Sequence, residues 1–453
     1  MDWILDTEWS FVYVSLIWTP ESRNNENTMF PKNIFKKSLA CLIALLTVSG
    51  IFSVGVSPAR AQQSIGVEGL KQPLHSMFSS IDQSRTISLA QGSSEFQSQV
   101  RGHMIQFHSI SLTWSSSRSL TGDSLTLDAV NVVFSYQDAN GGFKNVVTTL
   151  DSSLTKIVSV KTRESFIAGP VPNCASPPPV PAQKGPSPQN YCDPPPPPPP
   201  CYPGNTSYGN WAGYTLKSTC NGINFVYEAQ SAWTIPAVAE PWHTACQWYH
   251  CDVSIWPGLT NFAGGSNYIA QLGSQSGVYC GLGACGYYYS LWYEFYPDNS
   301  APCVITPDAD VNPGDQINAD VWNEIETGGS SNYWDFLISD TPPSGGTSHG
   351  CFIIMNKSYP LPQEGQFIAE RPDYTNLNYY ARLPTFSSFT MTAVMNQRYP
   401  GQTITGYTAY NNKWYTAISM SNCDQNGCHP NLTPSAINGA STFTINYVSS
   451  TAT

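Results

Sequence analysis

The chain reads as an all-β protein built around an antiparallel β-sandwich of two packed sheets, and three observations predict it. Aromatic residues make up 13% of the 453 positions and charged residues only 11%, a composition that favours pleated, half-buried strands over solvated helices. Short apolar runs recur between Gly, Pro, Asn and Ser clusters at sandwich-like intervals. No repeat of 20 to 50 residues and no long helical periodicity competes with them.

Taken in order, residues 1–28 fit no export signal and read as an over-extended start ahead of Met29. Lys32, Lys36 and Lys37 then precede an apolar run from Leu39 to Val56, followed by Ala59-Arg60-Ala61. That is a signal-peptide pattern with an A-x-A cleavage site, so 29–61 is expected to direct secretion. An uncleaved anchor is the alternative, because the run is close to spanning length.

Residues 62–169 are expected to form a prosegment or small accessory β module. Alternation over 124–137, the turn Ala139-Asn140-Gly141-Gly142 and the run 143–149 predict a β-hairpin within it. Sixteen of the 36 prolines fall between Pro170 and Pro203, which makes 170–204 a semi-rigid polyproline spacer. The remaining 205–453 is the sandwich domain, with strands expected at 224–235, 287–296, 316–322, 333–339, 351–355, 366–370 and 389–395.

From Asn205 onward, six Lys and Arg face seventeen Asp and Glu, which accounts for the whole net charge of −11. Such a domain gains little positive charge when its carboxylates protonate, so acid tolerance is expected. It offers no basic surface for nucleic acid. Thirteen cysteines leave twelve once Cys41 departs with the signal, an even number suited to disulfides in an oxidising compartment. Three pairs share C-x4-C spacing: Cys246 with Cys251, Cys280 with Cys285, and Cys423 with Cys428. A monomer without cofactor, and without membrane contact after signal cleavage, is the expectation.

Several motifs imitate known chemistry. Gly346-Thr347-Ser348-His349-Gly350 matches G-x-S-x-G, but it sits in a Pro/Gly/Ser stretch that leads into an apolar run, where a nucleophile elbow would follow a strand and open a helix. A plain turn is expected there. His243, Cys246, His250 and Cys251 are zinc-type ligands, yet in an exported, Cys-rich chain a disulfide is the simpler use of the two cysteines. Asp308, Asp310 and Asn312 begin like a calcium loop, but Pro313 stands where that loop needs glycine. No metal site is expected.

Two other segments place one polar side chain inside an apolar run: Ile269-Ala270-Gln271-Leu272-Gly273 and Phe367-Ile368-Ala369-Glu370. Period two puts Ile269, Gln271 and Gly273 on one face, Ile368 with Glu370 on one face, and Trp292, Glu294 and Tyr296 together. A Glu is a usable general base and then an acid at mildly acid pH. A Gln can accept from a water and donate to an oxyanion.

Beyond these single residues, the domain resembles the glutamic peptidases, the eqolisin family. The resemblance begins at Gly209-Asn210-Trp211-Ala212-Gly213, similar to N-W-A-G, and continues through Ser254-Ile255-Trp256-Pro257-Gly258, similar to S-x-W-x-G-I-D. Residues 269–273 are similar to I-L-Q-T-G, 291–297 to A-W-Y-E-W-Y-P, 313–317 to A-G-D-x-I and 366–370 to E-W-I-V-E. Order is preserved across about 200 residues. The resemblance implies a concanavalin A-like sandwich with a groove on one concave face, catalytic Gln271 and Glu370, and substrate-placing Trp256, Glu294 and Trp292. It implies an acid endopeptidase acting on proteins or peptides, insensitive to pepstatin and made as a zymogen. Thr260 stands where the family has aspartate, Gln366 replaces the first glutamate of its motif, and Arg371-Pro372 follows Glu370. A carbohydrate-binding or glycan-hydrolysing sandwich, using Trp292, Tyr296 and the pair Glu294 and Glu370, is the alternative, as is an inactive family member.

Overall fold

The computed structural model describes residues 67–166 and 204–449 apart from short internal stretches. The expected start region, export signal and proline spacer lie outside the described residues, as do Asp308, Asp310 and His243.

Among the described residues three short helices come first: α1 (Val67–Ser79), α2 (Gln83–Gln91) and α3 (Ser94–Gln99). The expected β module therefore opens with helices that are too short for their period to stand out in the sequence. Leu70, Leu74, Met77 and Phe78 nonetheless share one stripe of α1 and pack into an apolar cluster. Side-chain caps start the other two: Asp82 accepts from the Arg85 amide at 3.0 Å and Ser93 from the Phe96 amide at 3.1 Å.

Next, β1 (Gln106–Ser119), β2 (Gly122–Gln137), β3 (Phe143–Asp151) and β4 (Ile157–Glu164) form an antiparallel meander. Its β2–β3 connection is the hairpin read from the sequence, closed by the Asp138 amide donating to the Gly142 carbonyl at 2.8 Å. After the spacer come β5 (Gly204–Tyr208), β6 (Trp211–Lys217), β7 (Phe225–Thr234), β8 (Val238–Ala239), β9 (His250–Thr260), β10 (Ile269–Gly281), β11 (Ala284–Tyr296) and β12 (Ala301–Cys303). They are followed by β13 (Gln316–Asn323), a 3-10 turn (Glu324–Thr327), β14 (Tyr333–Thr341), β15 (Thr347–Asn356) and β16 (Glu364–Glu370). Shorter strands complete the chain, and the run expected over 389–395 is broken at Ala393 into Phe389–Thr392 and Val394–Arg398.

Hydrogen-bonded pairing runs β4-β3-β2-β1-β15-β14-β13-β7 in one sheet and β6-β16-β9-β10-β11-β12 in the other. C-terminal strands link β7 to β6 around one side. The β1–β15 ladder, from Ser111 opposite Ile353 to Ser117 opposite Thr347, makes strands from before and after the proline spacer members of one sheet. It also overturns the turn expected at Gly346 to Gly350: Thr347 to Gly350 begin β15, with His349 opposite Asp340 and Ser115. The Ser348 hydroxyl meets the Thr341 hydroxyl at 2.9 Å, so this motif builds sheet.

Alternation along each strand sorts side chains into layers. Ile317, Ala319, Val321, Phe336 and Ile338 of the first sheet meet Ile255, Ala270, Leu272, Tyr293, Phe295, Phe367 and Ala369 of the second in the sandwich core. Phe295 and Trp334 touch edge to face across it, centroids 5.2 Å apart. The helices cover the other face of the first sheet, where Phe78 meets Phe352 and Phe96 meets Phe134. Disulfides Cys246–Cys251 and Cys280–Cys285 occur at the expected spacings. Cys303–Cys351 ties the end of β12 to β15 across 48 residues and was invisible in the spacing. Among the described residues no helix is long and apolar enough to cross a membrane.

Candidate active site

The outer face of the second sheet carries the predicted residues. Register across β11, β10, β9 and β16 places Glu294 opposite Gln271, Gln271 opposite Gly258, Trp256 opposite Ile368, and Ser254 opposite Glu370. Because alternate residues share a face, Gln271, Glu294, Glu370, Trp256 and Trp292 all project from the same side of the sheet. Their neighbours along the strands, Ile255, Ala270, Leu272, Tyr293, Phe295 and Ala369, lie in the sandwich core, whereas Trp211, Trp256, Ile269, Trp292 and Ile368 form a separate cluster on this face with Phe166.

Glu370 and Gln271 on this face are held by neutral donors and by a carboxylate respectively. Glu370 accepts at Oε1 from Asn210 Nδ2 (3.1 Å) and at Oε2 from Trp256 Nε1 (2.8 Å). Gln271 Nε2 donates to Glu294 Oε2 at 3.1 Å. An ionised carboxylate only accepts, so it fixes which end of the Gln271 amide turns toward it. Tyr296 joins the two halves: burial raises its phenol, and the carboxylates of Glu294 and then Glu370 close by push it further up. All of Gln271, Glu294 and Glu370 are fully buried, as is Trp256.

Local packing explains how the site is assembled. A Cβ on Gly273 would stand 2.1 Å from the Ile255 carbonyl and 2.8 Å from Trp256 Cβ, so only glycine lets β10 lie this close under the Trp256 side chain. Arg371 secures the loop carrying Asn210: its amide donates to the Asn210 carbonyl at 2.9 Å and its guanidinium to the Gly209 carbonyl. Thr260 spends its hydroxyl on the Tyr268 carbonyl at 2.6 Å. In the sequence Asn210 carried no role, and Tyr296 only one in the carbohydrate alternative. Their signal was position, beside Trp211 and in phase with Glu294.

A further occupant had no signal at all. Phe166, two residues beyond β4, packs edge to face on Trp292 with centroids 5.2 Å apart, and its backbone is pinned to Ser300 by bonds of 2.9 and 3.0 Å. Beneath this cover, Ser254 Oγ and Trp292 Nε1 are buried without a hydrogen-bond partner among the described residues. Buried polar groups are normally satisfied, so two orphans on one face mark a surface shaped for something else.

The Peptidase A4 family profile matches residues 209–447, more than half of the sequence. The chain belongs to the peptidase A4 family. A solved structure, the aspergilloglutamic peptidase from Aspergillus niger, is 19% identical with a TM-score of 0.32, over 44% of this chain and 99% of that one. No curated protein matches the chain. As a member of that family, the eqolisin or glutamic peptidase family, it is a peptidase whose strand-dominated fold carries its candidate residues on one sheet face. The zinc-type cysteines are spent, since Cys246 and Cys251 are bonded to each other.

Proposed function

We propose that this chain is an exported acid endopeptidase in which Glu370 activates water and Gln271 stabilises the oxyanion. One observation carries the reading: Gln271 and Glu370 project from the same sheet face and Trp256, which donates to Glu370, rises against the strand that bears Gln271. Glu370 takes a proton from water, and the hydroxide adds to the scissile carbonyl carbon. The Gln271 amide then donates to the developing oxyanion. The C–N bond breaks as Glu370 returns its proton to the leaving amine. Glu294 holds the Gln271 rotamer, while Trp256 and Trp292 shape the apolar walls that would receive substrate side chains.

The described form is the latent one in this reading, because Phe166 packs on Trp292 within the face that a peptide must occupy. Removal of the N-terminal module at the spacer would open it, in keeping with secretion as a zymogen.

The test is hydrolysis of a denatured protein at pH 2 to 5 by the matured enzyme, with and without an aspartic-peptidase inhibitor. We expect inhibitor-resistant cleavage, a loss on the order of 10²–10³ in turnover for Gln271→Ala, and a larger loss for Glu370→Gln. Wild-type-like turnover in either folded variant sinks the dyad. Glycan cleavage without peptide hydrolysis would favour the carbohydrate alternative.

A further inference from the structure

A second group of chemically capable side chains lies on the helix-covered face of the first sheet, remote in function from the dyad. There α1 presents Lys71 and His75, one turn apart, to β7, β13, β14 and the 3-10 turn. Lys71 Nζ is committed: it pairs with Glu228, lies 3.0 Å from Asp320 Oδ2, and sits 4.7 Å over the Trp322 ring. His75 Nε2 stands 3.1 Å from Glu324 Oε1. One ligand atom each from His75, Glu324 and Asp335 lie within 4.8 Å of one another. Asp335 is only 1% exposed, and its Oδ1 is buried without a hydrogen-bond partner among the described residues.

Glu228, Asp320, Glu324 and Asp335 thus share one buried patch with, among the described residues, the ammonium of Lys71 as the permanent cation. Burying carboxylates without compensation is costly, and a metal ion is one of the few partners that removes the cost. The geometry points to a divalent metal site formed by His75 Nε2 and the carboxylates of Glu324 and Asp335, with water completing the shell. One imidazole nitrogen and two carboxylate oxygens suit a borderline first-row ion such as zinc. One ligand comes from α1 and two from the sandwich, 249 residues away in the case of Glu324. The ion therefore staples the N-terminal helix to the peptidase domain by closing a long loop.

The experiment uses the full chain, stripped with chelator and titrated with zinc chloride at pH 7.5 by calorimetry, with thermal denaturation in parallel. We expect one-to-one uptake and a zinc-dependent rise in Tm. Both should weaken at least tenfold in His75→Ala, at a partly exposed position, and in Glu324→Gln, an isosteric change that keeps the packing. Failure of the wild-type chain to take up zinc overturns the site, as does equal affinity in both variants. Neither outcome touches the dyad, whose test is turnover.

Discussion

The two outermost faces of this sandwich both bury carboxylates beside tryptophan, yet they treat them in opposite ways. On the helix-covered face, Glu228 and Asp320 meet the ammonium of Lys71; that charge, opposing the burial, holds Glu228 below the usual carboxylate range, while burial and the neighbouring Glu228 push Asp320 well above it. On the opposite face, Glu370 accepts from the neutral donors Asn210 and Trp256, and Glu294 accepts from Gln271. A carboxylate tied to a full positive charge gives up basicity for attachment. One aimed by neutral donors is oriented without that charge against it, which is what proton transfer to and from water requires. In the proposed mechanism, the difference separates an acidic patch that fastens from one that reacts.

The largest effect expected from that contrast is on the fastening side. Lys71→Met keeps the stem that lies on Trp322 but strands Glu228 and Asp320 in the interior. A loss of about 3–5 kcal/mol is expected, as when one partner of a buried pair is removed. Urea denaturation at pH 7 checks it. A loss below 1 kcal/mol would show that the ammonium contributes no more than a surface pair.

On the groove face the corresponding change is Phe166→Ala. The ring is buried against Trp292, so about 2–3 kcal/mol of stability should go, at the low end for a buried Phe because the site opens to solvent. The uncleaved chain should then hydrolyse peptide faster than its parent, and initial rates on the intact precursor measure it. Unchanged precursor activity would separate this cover from latency. A smaller change sharpens the same point: Trp256→Phe keeps the aromatic wall and removes the donor to Glu370 Oε2. About 1.5–3 kcal/mol is expected, read as a tenfold or greater fall in kcat with little change in KM.

Much of this arrangement was legible in the sequence. Period-two alternation in 291–296, 269–273 and 366–370 assigned every one of Trp292, Glu294, Gln271 and Glu370 to the face where the structure holds it. The β2–β3 hairpin and two local disulfides were equally local signals. What escaped was non-local. Asn210 and Glu370 are 160 residues apart and meet because β6 pairs with β16. Cys303 finds Cys351, and β1 finds the edge of β15, through strand order that no short window encodes. G-T-S-H-G misled because turn-forming residues were read by propensity, whereas the β1 edge supplies a partner that draws Thr347 to Gly350 into a strand.

A third acidic spot, at the rim between the two faces, calibrates the comparison. Asp340 has Asp315 as its charged neighbour; burial first, and then Asp315, push its carboxyl up to about 7. A raised carboxyl is protonated in the folded chain at a pH where the unfolded chain has already ionised. Its contribution to stability is therefore complete below the ordinary pKa of about 4 and is lost as pH rises through about 7. Asp340→Asn mimics the protonated form, so it should stabilise the protein at pH 8, by on the order of 1 kcal/mol after allowing for solvent screening. The gain should vanish at pH 3, where both chains carry a neutral side chain. Thermal melts at the two pH values decide it: a gain that persists at pH 3 would assign the effect to packing, and no gain at pH 8 would mean that Asp340 finds a compensating partner as Glu228 does. Either result would place Asp340 on one side of the divide between carboxylates that are fastened by charge and carboxylates left able to exchange a proton.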